Sequence, residues 1–268
     1  MEILPISNPF GAPVYHVETT TSTMDEGRRL AGAGSPHGTA ICADYQEAGR
    51  GRIRERSWDM ERGRNLACTV LLRFGGMGDI PPALTLRTGL AVLSAIAALV
   101  PALADRLLVK WPNDIMIRFP EAGGAARKTA GILTEGDGGA VFTGIGVNVA
   151  QREFPPAYRR HAASLALAAE PSGAAGPEPF PPGFSFRLLE EILFRLHAEL
   201  TGGKDWRSRL EERLYRRGGE VTFIDGAAGS ENAVEGRLTG IGPAGELLIV
   251  PRGEEKARSF VTGELLVY

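Results

Sequence analysis

Apolar and polar positions recur along this chain with two periods, and the changes of period mark out its elements. Thr39 to Tyr45 sets Ile41, Ala43 and Tyr45 on one side, the period-two spacing of a half-buried strand. Asn65 to Phe74 (NLACTVLLRF) is predicted as a second strand. Shorter β-rich runs at Leu107–Trp111, Ile115–Arg118, Thr129–Glu135 and Ala140–Val149, separated by turns, predict a mostly antiparallel or mixed sheet. Thr23-Met24-Asp25-Glu26 has the form of a capping box, a threonine hydroxyl with a glutamate three residues on, so a helix is expected from there to the Gly32–Gly34 pair. Pro81-Pro82 is expected to open an apolar helix, because a first helical turn needs no proline amide. The most apolar run, Gly89 to Ala104, contains Pro101 and is bounded by Arg87 and Asp105. It falls short of the roughly 20 residues of a membrane span and reads as a buried helix. Leu188, Leu189, Ile192, Leu193, Leu196 and Leu200 recur at helical spacing up to Gly202-Gly203, and a second helix is predicted over Trp206–Arg216.

From Gly219 onward the texture changes to short strands broken by glycine: EVTFID, AVEGRLTGI, GELLIVP and SFVTGELLVY. Strands at this spacing predict a small β-barrel, with a boundary near residue 217 and two domains, 1–217 and 218–268. Residues 169–184 (AEPSGAAGPEPFPPGF) are dense in Pro, Gly and Ala and read as an irregular surface connection. At 268 residues and 43% hydrophobic content the chain can bury one large core and a small one. A net charge of -2 supplies no basic field, so no nucleic-acid partner is expected. The two cysteines, Cys42 and Cys68, lie in apolar segments, so neither a disulfide framework nor a four-ligand zinc site is expected. The N-terminal MEILPISNPFG has no basic stretch leading into an apolar one. A cytoplasmic protein with no membrane partner is the expectation.

The charged segment Gly49 to Arg64 carries six arginines, three glycines and three acidic residues, a composition that cannot bury itself and predicts a mobile loop. Its start, Asp44-Tyr45-Gln46-Glu47-Ala48-Gly49-Arg50-Gly51-Arg52, with Arg56 and Trp58 beyond, joins glycines that admit a close ligand to arginines that neutralise anions. Such a loop suits a carboxylate beside phosphates, although a solvated loop that touches nothing has the same composition. Lys110-Trp111-Pro112-Asn113-Asp114 follows an apolar strand, its proline fixing a turn that aims Asn113 and Asp114 away from the strand end. Lys128-Thr129-Ala130-Gly131-Ile132-Leu133-Thr134-Glu135 puts a lysine before a strand whose Gly131 allows close approach. Gly144-Ile145-Gly146-Val147-Asn148-Val149 sets two glycines before an asparagine. Taken singly, the last three read equally as a turn, a surface lysine and strand packing.

In this order, Ser22-Thr23, YQEAGRGR, KWPND, KTAGILTE and GIGVNV closely resemble the catalytic module of biotin protein ligases, over roughly residues 14 to 165. The C-terminal strands resemble that family's SH3-like domain. The resemblance implies an α+β fold: a class II aminoacyl-tRNA-synthetase-like (biotin/lipoate ligase) catalytic core with a small C-terminal SH3-like β-barrel. It implies a ligase that forms biotinyl-AMP from biotin and ATP, with Mg2+ carried by the nucleotide, and transfers biotin to a lysine of a biotin carboxyl carrier protein. The enzyme would be a monomer or a homodimer. Carried over residue by residue, Ser22, Thr23 and Met24 would meet the ureido ring of biotin and Gln46 would orient it. Arg50, Gly51 and Arg52 would close over its carboxylate and the α-phosphate, with Gly131 beneath. Lys128 would bind both reacting groups, Trp58, Lys110, Asn113 and Asn148 would lie near the nucleotide, and Asp114 would position the incoming amine or a magnesium-bound phosphate.

The chain departs from the family pattern at two places: Met24 stands where an asparagine is usual, and Glu55 where a glycine usually precedes the arginine matching Arg56. Only about twenty residues precede the first motif, so no operator-binding helix-turn-helix is expected. A lipoate ligase or octanoyl transferase of the same superfamily is the nearest rival, but the Arg-Arg-x-Ser-Gly-Gly segment with histidine that marks those enzymes is missing. A non-catalytic biotin-binding module is the other, and the presence of both Arg50 and Lys128 argues against it.

Overall fold

A computed structural model of the chain describes residues 1–53, 57–170, 179–202, 204–226 and 232–266. The first part is a single sheet built from β1 (Glu2–Ile3), β2 (Val14–Thr20), β3 (Ala40–Gln46), β4 (Asn65–Arg73), β5 (Leu107–Lys110), β6 (Asp114–Phe119), β7 (Ala125–Asp137) and β8 (Ala140–Asn148). Its eight strands run in the order β1-β2-β3-β4-β8-β7-β6-β5. Only β2 and β3 are parallel, and helix α1 (Thr23–Gly32) makes the crossover that a parallel pair requires. Every other pair in this sheet is antiparallel, so the mixed sheet read from the sequence is the one observed.

Alternation assigns the faces. On β4, Leu66, Cys68, Val70 and Leu72 enter the main core with helix α2 (Leu84–Leu99) and, beyond the short α3 (Leu165–Ala169), helix α4 (Phe184–Gly202). Thr69 and Leu71 point the other way, to α1, where Met24, Leu71, Ala140 and Phe142 form a smaller cluster. Helix α5 (Trp206–Glu212) leads into a second sheet of β9 (Glu220–Asp225), β10 (Ala233–Ile241), β11 (Leu247–Pro251), β12 (Arg258–Phe260) and β13 (Gly263–Leu265). Its order is β12-β11-β10-β9-β13, antiparallel throughout.

Three local expectations are corrected. The cap of α1 is Ser22, not Thr23: the Ser22 hydroxyl accepts from the Met24 amide, and Glu26 turns to Thr20 and Arg29 instead of closing a capping box. Pro81 and Pro82 stand outside α2, which starts at Leu84 after Ala83, a residue held at φ 56°. The same helix stops at Leu99, one residue short of the position before Pro101, as the steric clash with a following proline requires, and residues 101–106 continue as a 3-10 turn. Met77–Leu99 reaches 23 residues and enough hydropathy to cross a membrane, yet 61% of its apolar 18-residue window is buried, and α2 lies against β5 and β7 as a core element.

Candidate active site

Helix α1 begins where β2 ends, which brings its first residues beside the end of the parallel partner β3. Thr23, the first residue of α1, donates from its amide (2.8 Å) and its hydroxyl (3.0 Å) to Oε1 of Gln46, the last residue of β3. A backbone N–H can only donate, so the amide oxygen must face Thr23 and the Gln46 Nε2 group must face away. It faces Gly49, where a side chain would run into it. Ser22, Thr23 and Gln46 are all buried.

On the neighbouring strands, Gly131 of β7 and Gly146 of β8 are cross-strand partners, a patch of sheet without side chains. Lys128 reaches the same patch through a β-bulge. Ala130 pairs with Ile115 but Lys128 pairs with Met116, so Thr129 is an extra residue on β7. Residues three apart on a regular strand face opposite sides; the bulge turns Lys128 to the side of Gly131, whose added Cβ would lie 3.1 Å from the Lys128 Nζ. The KWPND segment forms the β5–β6 turn, with Lys110 opposite Asp114. Asp114 meets Lys128 Nζ at 2.7 Å, and Asn113 clasps β7, donating to the Ile132 carbonyl (2.9 Å) and accepting from the Ile132 amide (2.8 Å). Trp111 is buried and donates to the Gly245 carbonyl of the second sheet at 2.9 Å.

The arginine loop folds back over this floor. Trp58 bonds the Gly49 carbonyl through its amide (2.9 Å), and its indole rests on the glycine patch, 5.7 Å from Lys128 Nζ. An added Cβ at Gly146 would stand 2.5 Å from the ring, so only glycine admits the indole here. Its Nε1 is buried without an acceptor among the described residues. Arg50 pairs with Asp25, and Arg52 donates to the Gly263 carbonyl at 3.0 Å. Arg56 and Glu55 lie outside the described residues, as does half of the Pro/Gly-rich stretch read at 169–184.

Two cavities result. The smaller, about 60 Å³, is lined by Ser22, Thr23, Met24, Gln46, Arg50 and Gly131 among others. The larger, about 440 Å³, takes in Lys110, Asp114 and Asn148, whose Oδ1 is buried without a partner among the described residues. Gly51, Arg52, Trp58, Asn113 and Lys128 line both. The structure thus gathers the residues selected from the sequence into one place, with three cations already engaged by protein partners. Part of the larger cavity was not read from the sequence: Phe154, Tyr158 and His161 come from an irregular segment, and Glu264, Leu265 and Leu266 from the last strand of the second sheet and the residue after it. The one trace of that segment is its β-like pairing of Ala162 with Lys128. Cys68 borders the smaller cavity, but burial pushes its thiol up, and that of Cys42 to about 12, so neither offers a thiolate nucleophile at neutral pH.

A model of the biotin/lipoate A/B protein ligase family matches residues 15–151. A biotin--[acetyl-CoA-carboxylase] ligase of Paracoccus denitrificans is 34% identical over 243 residues, 86% of this chain and 95% of that protein. The chain belongs to the biotin/lipoate A/B protein ligase family. Among other family relatives, the bifunctional ligase/repressor BirA of Bacillus subtilis is 36% identical over 58% of this chain, a match that spans about half of the relative's own length (46%). The biotin protein ligase of Aquifex aeolicus, solved in complex with biotin and ATP, superposes with a TM-score of 0.73 at 25% identity, covering 94% of this chain and 97% of that one. The residues matched by the family model run from β2 to just beyond β8, and the Paracoccus and Aquifex proteins extend the likeness over most of the chain.

Proposed function

We propose that this chain joins biotin to AMP at the expense of ATP and then transfers the biotinyl group to a lysine of a biotin carboxyl carrier protein. The observation that carries this reading is the junction of the two cavities at Arg52 and Lys128. A carboxylate and an α-phosphate repel one another, and cations shared by both chambers are what their meeting requires. The smaller chamber receives the acid, with Ser22, Thr23 and the Gln46 Nε2 donor at the ureido ring and Met24 against its apolar part. The larger receives the nucleotide, with Asn148, Lys110 and the aromatic Phe154 and Tyr158 around it. Carboxylase carriers enter from the names of the relatives above.

In the first step a biotin carboxylate oxygen attacks the α-phosphorus and pyrophosphate leaves. Arg50, Arg52 and Lys128 neutralise the charge that builds on the phosphoryl oxygens, exchanging Asp25, the Gly263 carbonyl and Asp114 for substrate oxygens. Mg2+ enters on the triphosphate and would draw charge from it; the larger chamber offers the carboxylates of Asp59, Asp114 and Glu264, a donor set that suits an ion held mainly by phosphates. At about 60 Å³ the smaller chamber is below the roughly 300 Å³ of pockets that enclose a small molecule, so the Trp58 indole moves off the glycine patch as the acid seats. In the second step the carrier amine attacks the acyl carbon, the carbon–oxygen bond to AMP breaks, and the amine loses a proton. Asp114, released by Lys128, lies where it can orient that amine.

The test is biotin-dependent AMP formation, and exchange of pyrophosphate into ATP, by the purified chain, with Lys128→Ala and Arg52→Ala as controls. Turnover with lipoate in place of biotin would assign the wrong acid. Exchange in neither case would leave a binding module without catalysis.

A further inference from the structure

Thr69 was not singled out in the sequence and does not line either cavity, yet it stands at the head of a hydrogen-bond chain that ends in the acid chamber. It sits on β4, fully buried, with its methyl group packed toward Gly27 of α1. Its hydroxyl donates to Thr23 Oγ1 at 3.0 Å. Thr23 Oγ1 donates in turn to Gln46 Oε1, which also takes the Thr23 amide. The direction of the whole chain is forced. The Thr23 amide fixes the Gln46 oxygen, that oxygen makes the Thr23 hydroxyl a donor, and one of the two lone pairs on Thr23 Oγ1 is filled by Thr69, leaving the other for an N–H of the acid. Without Thr69, the Thr23 hydroxyl can turn its proton elsewhere, and the Gln46 carboxamide keeps one anchor instead of two.

We propose that Thr69 is a positioning residue for biotin recognition: through Thr23 it holds the Gln46 carboxamide with its N–H donors toward the chamber, ready for the carbonyl oxygen of the ureido ring. This rests on the reading of the smaller cavity as the biotin chamber. The experiment compares Thr69→Val and Thr69→Ser with the parent chain in steady-state AMP formation, and measures binding of biotin and of 2-iminobiotin, which lacks the carbonyl acceptor, by calorimetry. Thr69→Val should raise the KM for biotin about three- to tenfold, the worth of one hydrogen bond, with kcat within twofold and the KM for ATP unmoved. Serine should restore the parent value, and the loss should vanish with 2-iminobiotin. If valine does not fold, as judged by circular dichroism, Thr69→Cys keeps the volume with a weak donor and should fall between the other two. Equal losses for biotin, 2-iminobiotin and ATP would reveal a merely structural role and overturn the inference, as would an unchanged KM. Failure of the parent chain to use biotin at all would sink the functional reading instead.

Discussion

The two chambers are built from different materials. The smaller cavity is framed by a helix start and by strand positions whose neighbours are fixed by ladder hydrogen bonds: Thr23, Gln46, Gly131 and Gly146. The larger cavity, proposed above for the nucleotide, is walled by a turn, an irregular segment around Tyr158 and the rim of the second sheet. The contrast separates tolerance from sensitivity: a rigid frame discriminates by exact shape, whereas a loop-built wall can adapt and is held in place by a few tethers such as Arg52 to Gly263 and Trp111 to Gly245.

The largest break in that comparison falls at the junction, which serves both chambers. Lys128→Ala should lower the rate of biotin-dependent AMP formation by about two orders of magnitude, the cost of about 3 kcal/mol for one lost charge-stabilising group. A substitution confined to the nucleotide wall should be smaller and one-sided. Tyr158→Ala should raise the KM for ATP roughly fivefold, about 1 kcal/mol of lost aromatic contact, while the KM for biotin stays put. Within the smaller cavity, two glycines two residues apart on β8, Gly144 and Gly146, give a graded test. At Gly146 an added methyl meets the indole ring, and Gly146→Ala should shift Trp58 emission and raise the KM for biotin several-fold. At Gly144 it meets the Sδ of Met24 at 2.9 Å, the end of a flexible side chain that can yield, so Gly144→Ala should change that KM by twofold or less. The smallest effect is on a tether: Trp111→Phe removes one hydrogen bond and should cost about 1 kcal/mol, seen as a melting temperature roughly 2–4 °C lower.

Legibility in the sequence follows the same division. Strands β3, β4 and β8 could be read because their inward positions are apolar, and the motif residues were found because glycine and charge on a strand are unusual. Strand β2 escaped because one of its buried positions is His16, a polar residue sealed between Glu2 and Asp44 at 3.0 Å each, which spoils the apolar alternation. The capping residue of α1 was misplaced by one because Ser22 and Thr23 are both good caps, and only the tertiary partner Gln46 decides which hydroxyl is spent where. Phe154, Tyr158 and Glu264 carry no local signal at all, since they reach the site by chain path and not by periodicity. Asn113 was read as a nucleotide contact, and its side-chain amide is used on the β7 backbone; the motif marked the place correctly without showing what the side chain does there.

The extra residue at Thr129 makes the spacing of the lysine from the glycine a matter of parity. Excising Thr129 would leave the two residues two apart on an even ladder and still on one face, whereas straightening the strand with Thr129 kept in place would send the ammonium to the opposite face of the sheet and empty the junction of its charge with every motif letter intact. In this strand the pairing register matters as much as the identity of the residues, so a sequence that keeps every letter of the motif but loses the bulge would present an intact motif over a site without its charge.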